Sequence, residues 1–303
     1  MRVGVDIGGS HVGVGLIDSN DEIVKIVEKY VKDKNTETME EFILEEIFSV
    51  LKEWKEIEKI DIHEIGIGAP GVIRDNTIIS SVNLGIKNFK IGEEIQKRFP
   101  DMDVKVMNDA KCAALAEKKR GSLKEYDDCI FMCLGTGIGG AVFINGKLVE
   151  PKRCAGFEVG HMIIVKDGKE CKCGSKGCYE RYASMRHFKR DIREKLNLDE
   201  SVDGGELRDI IRANINNEEV QKAIEEFVKY ICVGLTNLVN LLEPQVISLG
   251  GGFVKYKDIL FDKLKETFYN SSDLFYKDDK PSLVMASFGN DAGMIGSTLA
   301  FEQ

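Results

Sequence analysis

The spacing of apolar positions switches repeatedly between two and about 3.6 residues, so strands and helices alternate along the chain. Val3 to Asp18 (VGVDIGGSHVGVGLID) and Ile130 to Asn145 (IFMCLGTGIGGAVFIN) have the same form. Each is an apolar run, a glycine-rich turn and a second alternating run, which predicts a β-hairpin. Thr38-Met-Glu-Glu41 is a capping-box pattern. It opens a helix whose stripe is Met39, Phe42, Ile43, Ile47, Val50, Leu51, Trp54 and Ile57. Short strands are predicted at 65–68, 104–107, 246–249 and 283–288. Further helices are predicted at 110–120, 179–196, 220–242, 259–268 and 291–301. Cys129 to Gly146 is long and uncharged, but its glycines and Thr136 predict strand–turn–strand, not a membrane span.

The two similar hairpins suggest a duplicated α/β fold. The 303 residues set a prior of about two domains. The boundaries read as a small N-terminal domain over 1–115 and a larger one over 116–290, with helix 291–303 returning to the first. Composition adds less. A hydrophobic fraction of 43% and a charged fraction of 31% fit a globular protein. Lys and Arg number 42 against 51 Asp and Glu, giving a net charge of −9. That balance argues against a general nucleic-acid binder. It is compatible with an anionic ligand held by backbone amides and a metal ion. Asp6 interrupts what a secretory leader would need as an apolar segment, so a cytoplasmic protein is expected and the eight cysteines suggest no disulfide framework.

Three glycine turns are candidate ligand cradles. Asp6-Ile-Gly8-Gly9-Ser10 offers backbone N–H groups, a hydroxyl and a carboxylate suited to Mg²⁺; it could equally be a bare hairpin turn. Gly135-Thr136-Gly137 offers the same donors, and the pair together suggests a two-sided phosphate clamp. Gly250-Gly251-Gly252 follows a strand and reads as an adenine or ribose platform, or as a plain strand-to-helix turn. Asn108-Asp109 stands between strand and helix, where α/β folds bind ligands. Asp109 is either a general base or the N-cap of the next helix.

His161 with Cys171, Cys173 and Cys178 is the most specific signal. Three thiols and an imidazole suit tetrahedral structural Zn²⁺. Cys112, Cys129, Cys133 and Cys232 read as core thiols, and Cys154 is ambiguous. His63 and His187 read as surface residues. Glu158 and Glu180 bracket the cysteine loop and could grip neighbouring sugar hydroxyls, with Asn83 as donor and acceptor from another loop.

On Asp6-Ile-Gly-Gly-Ser10, Asn108-Asp109, Leu134-Gly-Thr-Gly-Ile-Gly139, Glu158-Val-Gly-His161 and Cys171-Lys-Cys-Gly-Ser-Lys-Gly-Cys-Tyr-Glu180, the chain resembles the ROK family of sugar kinases and repressors, nearly end to end. The resemblance implies an actin-like, ribonuclease-H-like ATPase fold with two α/β domains around a central cleft. It implies ATP and Mg²⁺ as co-substrates, a structural Zn²⁺ and a homodimer. By the same resemblance Asp109 is the catalytic base, and Asn83, Asn108, Asp109, Glu158, His161 and Glu180 bind the sugar. His161, Cys171, Cys173 and Cys178 are then the zinc set, and Asp6 with the three glycine turns holds the nucleotide. The chain departs from the family pattern at His11, where Lys or Asn is usual, and from the family's glucokinases at Ile86 and Phe157, where they often have Trp and commonly Gly. The expected activity is phosphorylation of a hexose, glucose first, at its 6-hydroxyl. N-acetylmannosamine, fructose, mannose and allose are the alternatives within the class, and a non-catalytic sugar-binding regulator lies outside it. A DNA-binding repressor is not expected, because Asp6 leaves no room before it for a winged-helix segment.

Overall fold

The computed structural model describes residues 1–150, 157–271, 273–275, 278–289 and 291–302. Cys154 lies outside the described residues. The chain divides into two units, the first built mainly from Met1–Lys124 and Ser287–Gln303, the second from Glu125–Lys147 and Phe157–Ala286. A boundary at 115 would cut the helix Asp109–Arg120; the chain leaves the first unit only after Lys124.

In the first unit β1 (Arg2–Ile7), β2 (His11–Ile17) and β3 (Ile23–Tyr30) form an antiparallel meander. Then come α1 (Met39–Leu51), β4 (Glu64–Ala69), β5 (Val72–Arg74), β6 (Thr77–Ser81), β7 (Ile86–Phe89), α2 (Ile91–Arg98), β8 (Asp103–Asn108) and α3 (Asp109–Arg120). The main sheet has the order β3-β2-β1-β4-β8, with β1, β4 and β8 parallel; β5, β6 and β7 make a small antiparallel sheet. The capping box forms as its pattern requires: Glu41 N–H donates to Thr38 Oγ1 and Thr38 N–H to Glu41 Oε2, both at 3.2 Å. After Leu51 the helix widens into π-helical turns over Lys52–Ile57. The apolar stripe therefore ends at Trp54, and Ile57 is 68% exposed.

Successive strand residues face opposite sides of a sheet. Val3, Val5 and Ile7 of β1 join a core with Phe42, Ile43, Ile47 and Leu51 of α1. The alternate residues, Gly4 and Asp6, face the other side. There Gly4 pairs with Gly15 of β2 and Gly66 of β4, and Asp6 with Gly13 and Gly68.

In the second unit β9 (Cys129–Leu134), β10 (Ile138–Ile144) and β11 (Lys147–Leu148) lead to α4 (Glu180–Ala183), α5 (Met185–Leu196), α6 (Gly204–Ala213), α7 (Glu218–Leu242), β12 (Val246–Gly250), α8 (Lys257–Asn270) and β13 (Ser282–Met285). The sheet order is β11-β10-β9-β12-β13, with β9, β12 and β13 parallel and β10 antiparallel to β9. This repeats the order of the first sheet about β1. The helix expected over 179–196 is two helices: Ser184 is extended, and its Oγ accepts from His187 N–H at 3.3 Å to cap α5. Helix α6, capped by Asp203, was not evident from its apolar spacing. Among the described residues no helix is long and apolar enough to cross a membrane.

The C-terminal helix α9 (Ala292–Leu299) belongs to the first unit and lies on its glycine row. A Cβ on Gly4 would collide with Met294 O, and one on Gly66 with Ser297 O. On its other side, Gly296 meets the Cys112 carbonyl of α3 as closely. Helix, sheet and helix thus touch backbone to backbone. Gly66→Ala is expected to cost about 1–3 kcal/mol by overpacking. An unchanged urea midpoint would show that α9 is free to shift.

Candidate functional site

In the first unit, β1 and β8 deliver their C-terminal residues to the same end of a parallel pairing through β4. The Gly8 N–H closes the first turn on His11 O at 2.9 Å, leaving Gly9 and Ser10 exposed. Ser10 Oγ lies 3.3 Å from His11 Nδ1, so the imidazole steadies the hydroxyl. Asn108, not Asp109, is the N-cap of α3: its Oδ1 accepts from Ala110 N–H at 3.1 Å and Lys111 N–H at 3.3 Å. Its Nδ2 donates to Gly71 O at 3.2 Å. Asp109 is the first helical residue, with Oδ1 accepting from Ala110 N–H at 2.9 Å. The helix N-terminus favours its negative charge.

Asp6 faces the glycine row beneath α9, where a Cβ on Gly293 would stand 2.8 Å from Asp6 Oδ1. Burial raises its pKa to about 7, helped by repulsion from the carboxylates of Asp109 and Glu28. Three negative groups so arranged form a place that a divalent cation would neutralise.

Asn83 is exposed in the β6–β7 connection. The small sheet that carries it is tied to β8 by Asn76. That side chain accepts from Val106 N–H at 2.9 Å and donates to Val104 O at 2.8 Å, standing in for a further strand on the open edge. Sequence reasoning missed this tie; Asp75-Asn76, both at positive φ, is the turn signal that could have found it.

In the second unit, the Gly135 N–H bonds Gly137 O at 3.0 Å across the turn, and Thr136 is exposed. The third glycine turn lies beside it: Gly251 has φ 72, and a Cβ there would come 2.9 Å from Leu134 O. Both turns therefore sit at the C-terminal ends of the parallel strands β9 and β12.

His161, Cys171, Cys173 and Cys178 come together, their ligand atoms all within 4.8 Å of one another. Cys173 Sγ and Cys178 Sγ are 3.6 Å apart, and Cys171 Sγ is 3.8 Å from His161 Nδ1. Tetrahedral Zn²⁺ with Zn–S near 2.3 Å separates its ligands by about 3.8 Å, so the donor set fits that ion in number, type and spacing. The loop closes through Gly177, at φ 80, where a Cβ would strike Val165 O. Burial pushes the Cys171 thiol up to about 12. At Cys173 burial is outweighed by hydrogen bonds from Ser175 and the neighbouring sulfurs, which bring it down to about 7.

Glu180, the first residue of α4, links two of these features. Its Oε1 accepts from Cys171 Sγ at 3.2 Å, and a Cβ on Gly137 would lie 2.5 Å from its Oε2. Glu158 is exposed. Phe157 before it holds φ 57, a left-handed conformation that glycine adopts at less cost. His63 is a surface residue paired with Asp61 at 2.8 Å. His187 is not: it is half-buried between Lys169 and Arg190, and burial with these cations lowers its pKa to about 4.

Two α/β units of one repeated topology, with glycine turns at the ends of their parallel strands, define a protein of the actin-like ATPase fold. The chain belongs to the ROK family, whose model matches residues 2–303. It is 29% identical to a glucokinase of Streptomyces coelicolor over 98% of this chain and 96% of that one. It is 26% identical to a xylose repressor of Bacillus subtilis over 98% of this chain and 73% of the repressor. Among solved structures, a ROK glucokinase of Streptomyces griseus in complex with glucose and AMPPNP superposes with a TM-score of 0.82 at 29% identity, covering 98% and 97% of the two chains. A putative N-acetylmannosamine kinase of Listeria monocytogenes gives 0.84 at 27% identity, covering 100% and 98%.

A carboxyl whose pKa rises on folding weakens the fold progressively as pH climbs from its unfolded value, near 4, through its folded value. Without nucleotide or metal, wild-type thermal stability is therefore expected to fall between pH 5 and pH 8. Asp6→Asn should raise the Tm at pH 8 and flatten that slope in differential scanning calorimetry; equal slopes would refute the assignment.

Proposed function

We propose that this protein is an ATP-dependent hexose kinase that phosphorylates glucose at its 6-hydroxyl. The observation that carries the reading is the carboxylate pair of the first unit: Asp109 at a helix start, with Asp6 near enough to feel its charge. The chain-long family match and the glucokinase relatives support it. A sugar-binding regulator has no use for two carboxylates beside a glycine turn. The relatives also include a repressor and a putative N-acetylmannosamine kinase, so related hexoses and N-acetylhexosamines form the competing set.

The proposal assigns the sugar hydroxyls to Asn83, Asn108 and Asp109 of the first unit and to Glu158, His161 and Glu180 of the second. The nucleotide falls to Gly8, Gly9 and Ser10, to Gly135, Thr136 and Gly137, and to Gly250, Gly251 and Gly252. Asp6 would hold Mg²⁺, which would supply charge neutralisation for the phosphates. Asp109 orients the 6-hydroxyl and takes its proton as the bond from O6 to the γ-phosphorus forms and the bond to ADP breaks. With a reference pKa near 3.9 it cannot generate free alkoxide beforehand, so its contribution is placement and late proton acceptance. Zn²⁺ bound to His161, Cys171, Cys173 and Cys178 would fix the His161 ring. A cytoplasmic homodimer without nucleic-acid partners completes the proposal.

Coupled ADP release across a panel of hexoses and N-acetylhexosamines is the deciding assay. Glucose should give the highest kcat/KM, and turnover on no sugar despite ATP binding would overturn the reading. Asp109→Asn is expected to lower kcat about 100- to 10,000-fold at similar sugar affinity. Zinc is tested separately: elemental analysis should find one zinc per chain. Removal by a chelator should become easier as pH falls, because thiolate ligands regain protons. An active, stable protein without metal would reject the zinc site.

A further inference from the structure

Glu117 lies in α3 with none of its surface exposed. A buried carboxylate is costly unless its oxygens are fully engaged. Here Oε2 accepts from Ser122 N–H at 2.8 Å and from Ser122 Oγ at 2.7 Å, while Oε1 accepts from Phe288 N–H at 2.7 Å. Ser122 stands on the segment by which the chain leaves the first unit, and Phe288 on the segment by which it returns.

Glu117 connects to both acidic residues of the site, to Asp109 through its own helix and to Asp6 through Phe288. Glu117 is on the same helix as Asp109, two turns further along. Phe288 leads into α9, whose Gly293 abuts Asp6. The helices themselves meet at Gly296 and the Cys112 carbonyl, so a change in the α9 lead-in cannot be absorbed by slack between them. We infer that Glu117 is a positioning residue: by fastening the lead-in of α9 to α3 it sets where Asp6 stands relative to Asp109. The inference rests on the kinase reading for its effect on turnover, but its structural part stands apart from it.

Glu117→Gln keeps the side-chain size yet sets an amide NH₂ against one of the two backbone N–H donors. Ser122→Ala removes only a hydroxyl on the outgoing segment. In E117Q, kcat should fall about tenfold to a hundredfold while KM for sugar and for ATP stays within about twofold, as expected for misplaced reacting groups. In S122A, Tm should fall while kcat stays within about twofold of wild type. Hydrogen exchange at the Phe288 and Gly293 amides should accelerate in E117Q and not in S122A. If E117Q does not fold, Glu117→Asp, which keeps the charge but is one methylene too short to reach both Ser122 and Phe288, takes its place. Wild-type kcat and exchange in E117Q would overturn the inference, as would kcat losses that track the Tm losses in both variants. A wild type inactive on every sugar would remove the kinase reading alone; exchange at Gly293 then decides, and no acceleration overturns the inference.

Discussion

The contact on which the first unit depends is the approach of α9 to its sheet, backbone against backbone, over Gly4 and Gly66. Side chains at these positions would hold the helix several ångströms away. The pairing register aligns Gly15, Gly4 and Gly66 across three strands, with Gly13, Asp6 and Gly68 in the next row. Among these six residues Asp6 alone is charged. Its carboxyl is enclosed because α9 comes close, and its raised pKa follows from that enclosure and from the Asp109 and Glu28 charges. A cation or a proton is the natural complement of such a group.

The second unit solves a different problem. The segment from Phe157 to Tyr179 has little regular structure: two isolated bridges, Ile163 with Cys178 and Glu170 with Lys176, fold it back on itself and bring His161 and the three cysteines together. At its end the fully buried Tyr179 donates to Ile231 O at 3.0 Å and pins the loop to α7. Glu180 follows directly. The carboxylate therefore inherits its position from the cysteine loop on one side and presents Oε2 to the Gly137 turn on the other. Loss of loop geometry would reach that turn through a single side chain.

Both glycine hairpins, the capping box and α7 were legible because each rests on local rules: alternation, caps, and Pro244 after a helix end. The cysteine cluster was legible because its ligands lie within eighteen residues along the chain, from His161 to Cys178. Less legible was the break at Ser184, since helical composition continues through it and only the hydroxyl cap marks the interruption. Asn108 and Asp109 were picked out as a pair, but their division of labour, cap and half-buried helix start, needed coordinates.

By itself the sequence determined the repeated hairpin, the helices α1, α3, α7, α8 and α9 and the metal-type donor set, because these depend on neighbours within a few residues. Only the tertiary structure decided what the alternate glycines of VGVDIGGSHVGVG are for. Their partner is α9, nearly 290 residues further along, and no local pattern announces an approach between backbones so far apart. The same holds for Glu117, which reads as one more polar residue of a helix until Ser122 and Phe288 converge on it. Burial is a property of the assembled unit, and it is burial that turns a solvated carboxylate into a fixed one.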